Sequence, residues 1–429
     1  MRRSLPRLRP SANFGWNIVG AAATQGATFA ATLAIANLLG PGGLVRYFVA
    51  QNTTLTLANF FQAGLSLTLV NFIARHRTTR PARARAVFVF ARRATLVLAL
   101  IAAAVLALVA RPVALRAYGD ATLLPFVLLS AAAIPLATVQ LVQNGALGGL
   151  EAFRDLARAA VTGGTIFLAA VVGGALLGGA LGAAIGLAVA TVARFFVYRH
   201  TLSAAFEKAS VPEMPDSAPV WPEIRNFALP AALPALTIGP ALWLSNAALA
   251  RNAGLAALGV FSAMFLLKTA ASFVPMQVGL VVLPRYSALR AAGDPAAARA
   301  LWPAVAACAG MSAAVGLALT AIAPFLPALF GAKFASGQAL IPWLMLVSFF
   351  ESTASILSVR FAGGDRMWHS FLGYSTPRDL LLVGLALLWT PAHGALGLVW
   401  AHAVAFGYAL VAALVLPTFG RRGAALSSA

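Results

Sequence analysis

Long apolar runs follow one another from residue 14 to residue 416, parted only by short polar or Gly- and Pro-containing gaps. A helix that crosses a bilayer needs about 20 predominantly apolar residues. On that measure the pattern predicts twelve spanning helices, over 14–39, 46–74, 88–110, 123–147, 158–175, 178–198, 227–250, 254–283, 301–323, 338–360, 371–390 and 394–416. The gaps carry turn chemistry: Gly40-Pro41-Gly42-Gly43 separates the first two spans, and Pro391-Ala392-His393-Gly394 the last two. The fifth and sixth spans are joined by Gly173-Gly174-Ala175-Leu176-Leu177-Gly178-Gly179. Read as one helix they would far exceed the hydrocarbon core, so two are predicted. The expected fold class is all-α, a polytopic membrane bundle.

Polar residues inside these spans fall in stripes. At 100° per residue, Asn17, Thr24, Gln25, Thr28 and Thr32 of the first span share an arc of about 100°. So do Gln51, Asn52, Asn59, Gln62 and Ser66 of the second, and Ser348, Glu351, Ser352, Ser355 and Ser358 cluster equally on the tenth. Polar side chains in a bilayer face the bundle interior or a wet cavity. Hydrogen bonding between packed helices would account for Ser and Thr alone. Stripes with Asn and Gln on two adjacent helices predict a hydrophilic wall, suited to a sugar with many hydroxyls and little charge.

Composition excludes whole classes of function. The chain is 61% hydrophobic and 10% charged, against about 45–50% and about 25% for soluble domains. So few charges cannot cover a soluble globule of 429 residues. A soluble enzyme, a nucleic-acid binder and a disordered chain are all ruled out. The net charge of +20 needs no nucleic-acid partner, because the basic residues sit between apolar runs, where topology and anionic lipid headgroups explain them. Arg75, Arg77, Arg80, Arg83, Arg85, Arg92 and Arg93 gather around the second gap, whereas the alternate gaps hold only Arg46, Arg111, Arg116, Arg251 and Lys333. Both termini are therefore expected in the cytoplasm, with an even number of spans. Met1 to Pro10, with Arg2, Arg3, Arg7 and Arg9, looks like a signal-peptide start. The apolar run after it exceeds a signal core of about 7–15 residues, so a retained first span is expected. Cys308 is the single cysteine, which leaves no intrachain disulfide or cysteine metal site and is read as packing.

Short motifs recur at a separation of about 214 residues. Gly179-Ala180-Leu181-Gly182 returns as Gly394-Ala395-Leu396-Gly397, Gly148-Gly149 as Gly363-Gly364, and Tyr118-Gly119 as Phe330-Gly331. Two six-helix halves follow: an N-terminal lobe over 1–198 and a C-terminal lobe over 227–429. Six is even, so the halves are parallel, related by an axis along the membrane normal. Between them, 199–226 reads as a cytoplasmic linker, with Pro212, Pro215, Pro219 and Pro222 opposing a continuous helix.

Charges inside the spans are few. Lys268 lies mid-span, roughly 20 Å from either end at 1.5 Å per residue, too deep to snorkel, so it must face a partner or water. Glu351 is as deep in the tenth span; a counter-ion for Lys268, a proton or cation site, and a protonated hydrogen-bonder remain open. Arg378-Asp379 follow Ser375-Thr376-Pro377, so they either cap a helix that starts there or line the path. Arg46 and Arg251 read as interfacial anchors and His402 as packed. No paired carboxylates, phosphate-cradling glycine loop or His/Asp/Glu metal spacing occurs. An enzyme, a metal site or a cofactor is not expected, and any energy input would come from an ion gradient, the membrane potential or substrate supply.

Ala36-Asn37-Leu38-Leu39-Gly40-Pro41 leading into the second span, and Gly64-Leu65-Ser66-Leu67-Thr68-Leu69-Val70 closing it, resemble the opening of Wzx-type oligosaccharide flippases of the MATE/polysaccharide-exporter superfamily. Phe227-Ala228-Leu229-Pro230, Leu258-Gly259-Val260-Phe261-Ser262-Ala263 and Leu283-Pro284-Arg285-Tyr286 continue the likeness. The resemblance implies a V-shaped, two-lobed transporter of the bacterial inner membrane that alternates between inward- and outward-open states. Its substrate would be an oligosaccharide on undecaprenyl diphosphate, destined for exopolysaccharide, capsule or O-antigen and passed on to polysaccharide polymerase machinery. Lys268, with Arg378, would then meet phosphate, Arg46 is a further substrate-binding candidate, and Gln25, Gln51, Asn52, Asn59 and Gln62 would meet sugar. Glu351 and Asp379 would serve as coupling or structural charges. Val45-Arg46-Tyr47 departs from the Gly-aromatic pattern usual after the Leu-Gly-Pro turn. A MATE-like cation-coupled drug antiporter and a membrane glycan polymerase or ligase are the alternatives; the first would want acidic residues in the cavity, the second catalytic groups on its outer loops.

Overall fold

The computed structural model describes residues 12–62, 64–212, 214, 216–291, 296–361, 368 and 370–426. The helices are α1 (Ala12–Phe61), α2 (Leu65–His76), α3 (Pro81–Leu108), the single turn α4 (Ala110–Pro112), α5 (Leu124–Gly149), α6 (Phe153–Lys208), α7 (Trp221–Ala291), α8 (Ala296–Ala321), α9 (Ile341–Ser358) and α10 (Thr376–Leu426). No strand occurs among the described residues. The α1–α6 helices pack together as one bundle and α7–α10 as a second, joined chiefly where α1 meets α7.

Eight described helices are long and apolar enough to cross a membrane, and four of them, of 47, 56, 42 and 46 residues, exceed one crossing. Each of the four is broken at glycine: Gly40 (φ 67, ψ −173), Gly178-Gly179, Gly254 (φ 84, ψ 163) and Gly394 (φ 54, ψ −130). Two breaks are visible reversals. Residues eight apart in a continuous helix are separated by about 12 Å, yet a Cβ on Gly174 would collide with the Gly182 carbonyl, and one on Gly397 with the Trp389 carbonyl. The chain folds back there as a helical hairpin, with backbones in contact because neither glycine has a side chain.

The positive-φ glycines report the duplication more sharply than the motifs do. Gly40, Gly119 and Gly179 in the first half match Gly254, Gly331 and Gly394 in the second, each with φ between 54° and 104°. All six lie at one end of the molecule, called here the glycine-turn end.

One boundary differs from the sequence expectation, and two further stretches are defined more closely. The second span, expected over 46–74, is interrupted after Phe61 because Gly64 adopts a left-handed conformation (φ 73, ψ −27) and restarts the helix as α2. Within the stretch read as a linker over 199–226, α6 runs on to Lys208 and α7 begins at Trp221. Tyr198, Leu202, Ala205 and Phe206 supply an apolar face there that is buried in one cluster with Phe88 of α3. What remains of the linker is clamped to the first bundle: Arg83 donates to the carbonyls of Ala218 (2.7 Å) and Pro219 (2.8 Å). At Ser375-Thr376-Pro377, where a helix start is one of the two sequence readings, the helix is already under way, in keeping with a span that begins at 371. A π-helical turn over Phe371–Ser375 leads directly into α10.

Large apolar side chains remain exposed, among them Leu100, Ile101 and Leu108 on α3 and Leu177 on α6. That surface belongs in lipid, where apolar side chains have nothing to avoid.

The bundles meet closely at the glycine-turn end. Asn37 Nδ2 donates to the Leu329 carbonyl (2.7 Å) and Arg251 Nη1 to the Arg116 carbonyl (3.1 Å). Phe29 packs edge-on to Phe330 at 6.4 Å, and Gly259 lies against the Pro41 backbone.

Candidate functional site

A cavity of about 680 Å³ opens between the bundles. Its wall comes almost wholly from the second one: Phe265, Lys268, Ser272 and Gln277 on α7, Glu351, Ser355 and Ser358 on α9, and Tyr374, Arg378 and Phe406 around α10. The first bundle contributes Gln25 of α1.

Two ion pairs dominate the wall. Lys268, only 4% exposed, pairs through Nζ with Glu351 Oε2, and the Glu351 side chain keeps 25% of its surface accessible. One turn along, Ser272 and Ser348 share a hydrogen bond of 2.8 Å. The contacts 268–351 and 272–348 run in opposite senses along α7 and α9, so these arms form an antiparallel polar zipper through an otherwise apolar bundle. In the second pair, Arg378 places Nε and Nη2 each 2.7 Å from Asp379 Oδ1. The Asp379 carboxylate is buried behind it, and its Oδ2 has no hydrogen-bond partner.

An aromatic ring joins the two cations. Phe406 lies 5.8 Å from Lys268 Nζ and 5.4 Å from the Arg378 guanidinium. Phe265 backs Lys268 at 4.9 Å, and Tyr374 backs Arg378 at 5.6 Å. Electron-rich ring faces offset part of the cost of keeping a cation out of water, so both positive groups can stand at the cavity wall rather than retreat from it. His402 stacks on Phe406 (6.4 Å, 12°) and donates through Nδ1 to the Leu398 carbonyl. It is packed, as its sequence setting predicts.

With both pairs formed, the wall carries two positive and two negative charges, each cation already matched. An anion entering the cavity must therefore compete with Glu351 for Lys268. Glu351 is the more accessible partner, and its displacement would leave Lys268 as a donor of three N–H groups.

Of the residues singled out from sequence, the structure gathers Gln25, Lys268, Glu351, Arg378 and Asp379 at or immediately behind this wall. It does not bring the second-span stripe there. Gln51 is buried within the first bundle, and Asn52 Nδ2 is buried without a partner. Asn59 bonds its own helix at Leu55 and receives Gln62 at 3.5 Å. Arg46 is half-buried in α1 away from the cavity, with Nε unpartnered. The threonines of the first span satisfy themselves: Thr24, Thr28 and Thr32 each donate to a carbonyl four residues back. Sequence reasoning missed Phe265, Tyr374 and Phe406, since an aromatic residue in an apolar run carries no signal of which neighbour it will face. Ser272 was legible in principle, standing one turn after Lys268 as Ser348 stands one turn before Glu351.

No curated protein matches the chain by sequence. Among solved structures, it is similar to an inward-facing multidrug resistance MATE family transporter of the MOP superfamily (TM-score 0.70, 18% identity, covering 96% of this chain and 99% of that one). It is also similar to an outward-facing structure of such a transporter (TM-score 0.64, 19% identity, 95% and 94%). A third is a MOP superfamily transporter from Pyrococcus furiosus, described as having a binding pocket of reverse polarity that suggests a different function (TM-score 0.59, 18% identity, 95% and 94%). These likenesses establish a MATE-type fold, and with the long apolar helices they make the chain a multi-pass membrane protein. The family model described as polysaccharide biosynthesis protein matches residues 11–290, more than half of the chain, and the protein belongs to that family.

Proposed function

We propose that this protein is a flippase that moves an undecaprenyl-diphosphate-linked oligosaccharide across the bacterial inner membrane by alternating access, for exopolysaccharide, capsule or O-antigen assembly. The observation that carries the reading is the pair of aromatic-backed cations, Lys268 and Arg378, on the wall of the inter-bundle cavity in a member of a polysaccharide biosynthesis family. A diphosphate needs two or more cationic donors, and the serines of α9 with Gln25 and Gln277 supply neutral hydrogen bonds for sugar.

In this reading each of the four broken helices crosses the membrane twice, both termini lie in the cytoplasm, and the lobes are 1–198 and 227–429. The glycine-turn end then faces the periplasm. Closure there, by Asn37 to Leu329 and Arg251 to Arg116, corresponds to an inward-open state. The diphosphate would enter from the cytoplasmic leaflet and displace Glu351 from Lys268. Relaxation of that pair after release would reset the site, and protonation or a cation at Glu351 would be one way to drive the cycle. Alternating access requires two packings of similar free energy, which duplicated halves meeting along α1 and α7 provide.

One observation favours a second reading, MATE-like efflux of organic cations: Glu351 and Asp379 are acids in or beside the same cavity. A clean deletion separates the two. Loss of surface glycan with complete lipid-linked repeat units held on the cytoplasmic leaflet is the expected result. Unchanged glycan with drug sensitivity would replace the flippase reading by efflux. Complementation with Lys268→Ala should restore neither glycan nor flipping, and normal surface polysaccharide in that strain would remove Lys268 from the site.

A further inference from the structure

A separate recess opens on the surface of the first bundle, between α3 and the second arm of α6, with α5 as its floor. Its volume is about 260 Å³. Arg85 and Arg92 stand two turns apart on one face of α3, and Arg199 comes from α6. Phe88, Phe195, Leu202 and Phe206 supply apolar wall. The Arg85 guanidinium lies 4.6 Å from the Phe206 ring and that of Arg92 lies 5.7 Å from Phe88. Stacking of this kind fixes the plane of a guanidinium and leaves its in-plane N–H groups free to bind.

Among the described residues, none of the ion pairs engages Arg85, Arg92 or Arg199. The charges that act on Arg92 are all of its own sign, from Arg85, Arg93 and Arg199. Folding has gathered like charges around a pocket, and among the described residues no acid is paired with them. Two buried polar atoms of these lining residues lack a hydrogen-bond partner. Arg85 Nε is buried and unbonded, and so is Oε1 of Gln143, a floor residue only 2% exposed. The Gln143 amide accepts from a hydroxyl through that oxygen, or donates once its two ends are exchanged.

Three guanidinium groups, an amide and an aromatic wall describe a receptor for a phosphate ester, since guanidinium binds phosphate oxygens in pairs through parallel N–H groups. Arg85 lies one turn into α3, and Arg199 lies within three turns of the α6 terminus. Both are therefore at the end of the bundle opposite the glycine turns, at the depth of lipid headgroups. We propose that this recess is a binding site for a phosphate ester, distinct from the inter-bundle cavity, with the headgroup of an anionic phospholipid as the source its setting favours. The assignment is independent of what the central cavity transports.

The test uses full-length protein in neutral detergent, with phosphatidylglycerol or phosphatidylcholine added and followed by thermal shift and native mass spectrometry. Phosphatidylglycerol should stabilise the wild type and stay bound, and phosphatidylcholine should do neither. Arg85→Gln with Arg199→Gln should weaken the apparent affinity about tenfold or more. Arg199→Gln alone, at an exposed position safe for folding, should weaken it about threefold. Arg93→Gln is the control, because Arg93 is the sequence neighbour of Arg92 but lines a different groove with Phe90 and Val97; it should change little. A parallel arm replaces lipid by inorganic phosphate and diphosphate. Arginine-dependent stabilisation by phosphatidylglycerol alone identifies a lipid site, and the same effect from free phosphate, with displacement of the lipid, identifies a soluble ligand. If neither ligand stabilises the protein through Arg85 and Arg199, or if Arg93→Gln weakens binding as much, the site does not exist.

Discussion

Lys268 and Glu351 show how a charge is kept in a bilayer-spanning bundle. The lysine is nearly sealed and the acid is a quarter accessible, so removal of the acid strands a buried cation. Loss of one partner of a buried pair costs about 3–5 kcal/mol; with Glu351 partly solvated, Glu351→Gln should cost about 2 kcal/mol or more. Lys268→Met combined with Glu351→Gln should recover over half of that loss, read by denaturant unfolding in detergent. If the double substitution is no more stable than Glu351→Gln alone, the pair is not what holds the two arms together. Phe406 makes a different prediction. Its ring touches both cations and its loss leaves the ion pairs in place, so Phe406→Ala should lower transport about tenfold, at about 0.5–2 kcal/mol for each cation–π contact, while amount and monodispersity stay near wild type. Equal transport by Phe406→Ala would mean that the rings only fill space.

At the scale of the element, glycine decides where one apolar helix becomes two. In α6 the arms touch backbone to backbone: a Cβ on Gly186 would strike the Ala170 carbonyl, whereas one on Gly173 would meet nothing within 4 Å. Gly173→Ala should therefore be neutral or slightly stabilising, since a helical glycine costs about 1 kcal/mol relative to alanine. Gly186→Val should spread the hairpin and abolish monodisperse protein on size exclusion. Equal behaviour of the two variants would contradict the close hairpin. The second span was the least predictable element, because hydropathy continues straight across Gly64 while the backbone turns left-handed there.

For the whole molecule, contact between the bundles at the glycine-turn end is the feature that must open if the protein alternates. Asn37 reaches the Leu329 carbonyl across the junction, and the only cysteine, Cys308, is buried. Asn37→Cys with Leu329→Cys, in a Cys308→Ala background, should cross-link on oxidation and stop transport, and a reductant should restore it. Unimpaired transport by the oxidised protein would show that this junction stays closed throughout the cycle.

Hydropathy, charge placement and the repeated glycine motifs by themselves determined an all-α membrane protein with a duplicated architecture, because those properties depend on how a segment partitions between lipid and water. The depth of Lys268 and Glu351 was legible for the same reason. Only the tertiary structure decided which polar stripe faces a cavity. The arc shared by Gln51, Asn52, Asn59 and Gln62 says that they lie on one side of a helix, but nothing in it says whether that side meets solvent, a carbonyl one turn back or a neighbouring helix. Phe406, placed between two cations from different helices, owes its position to packing across the bundle, which no periodicity along one helix records.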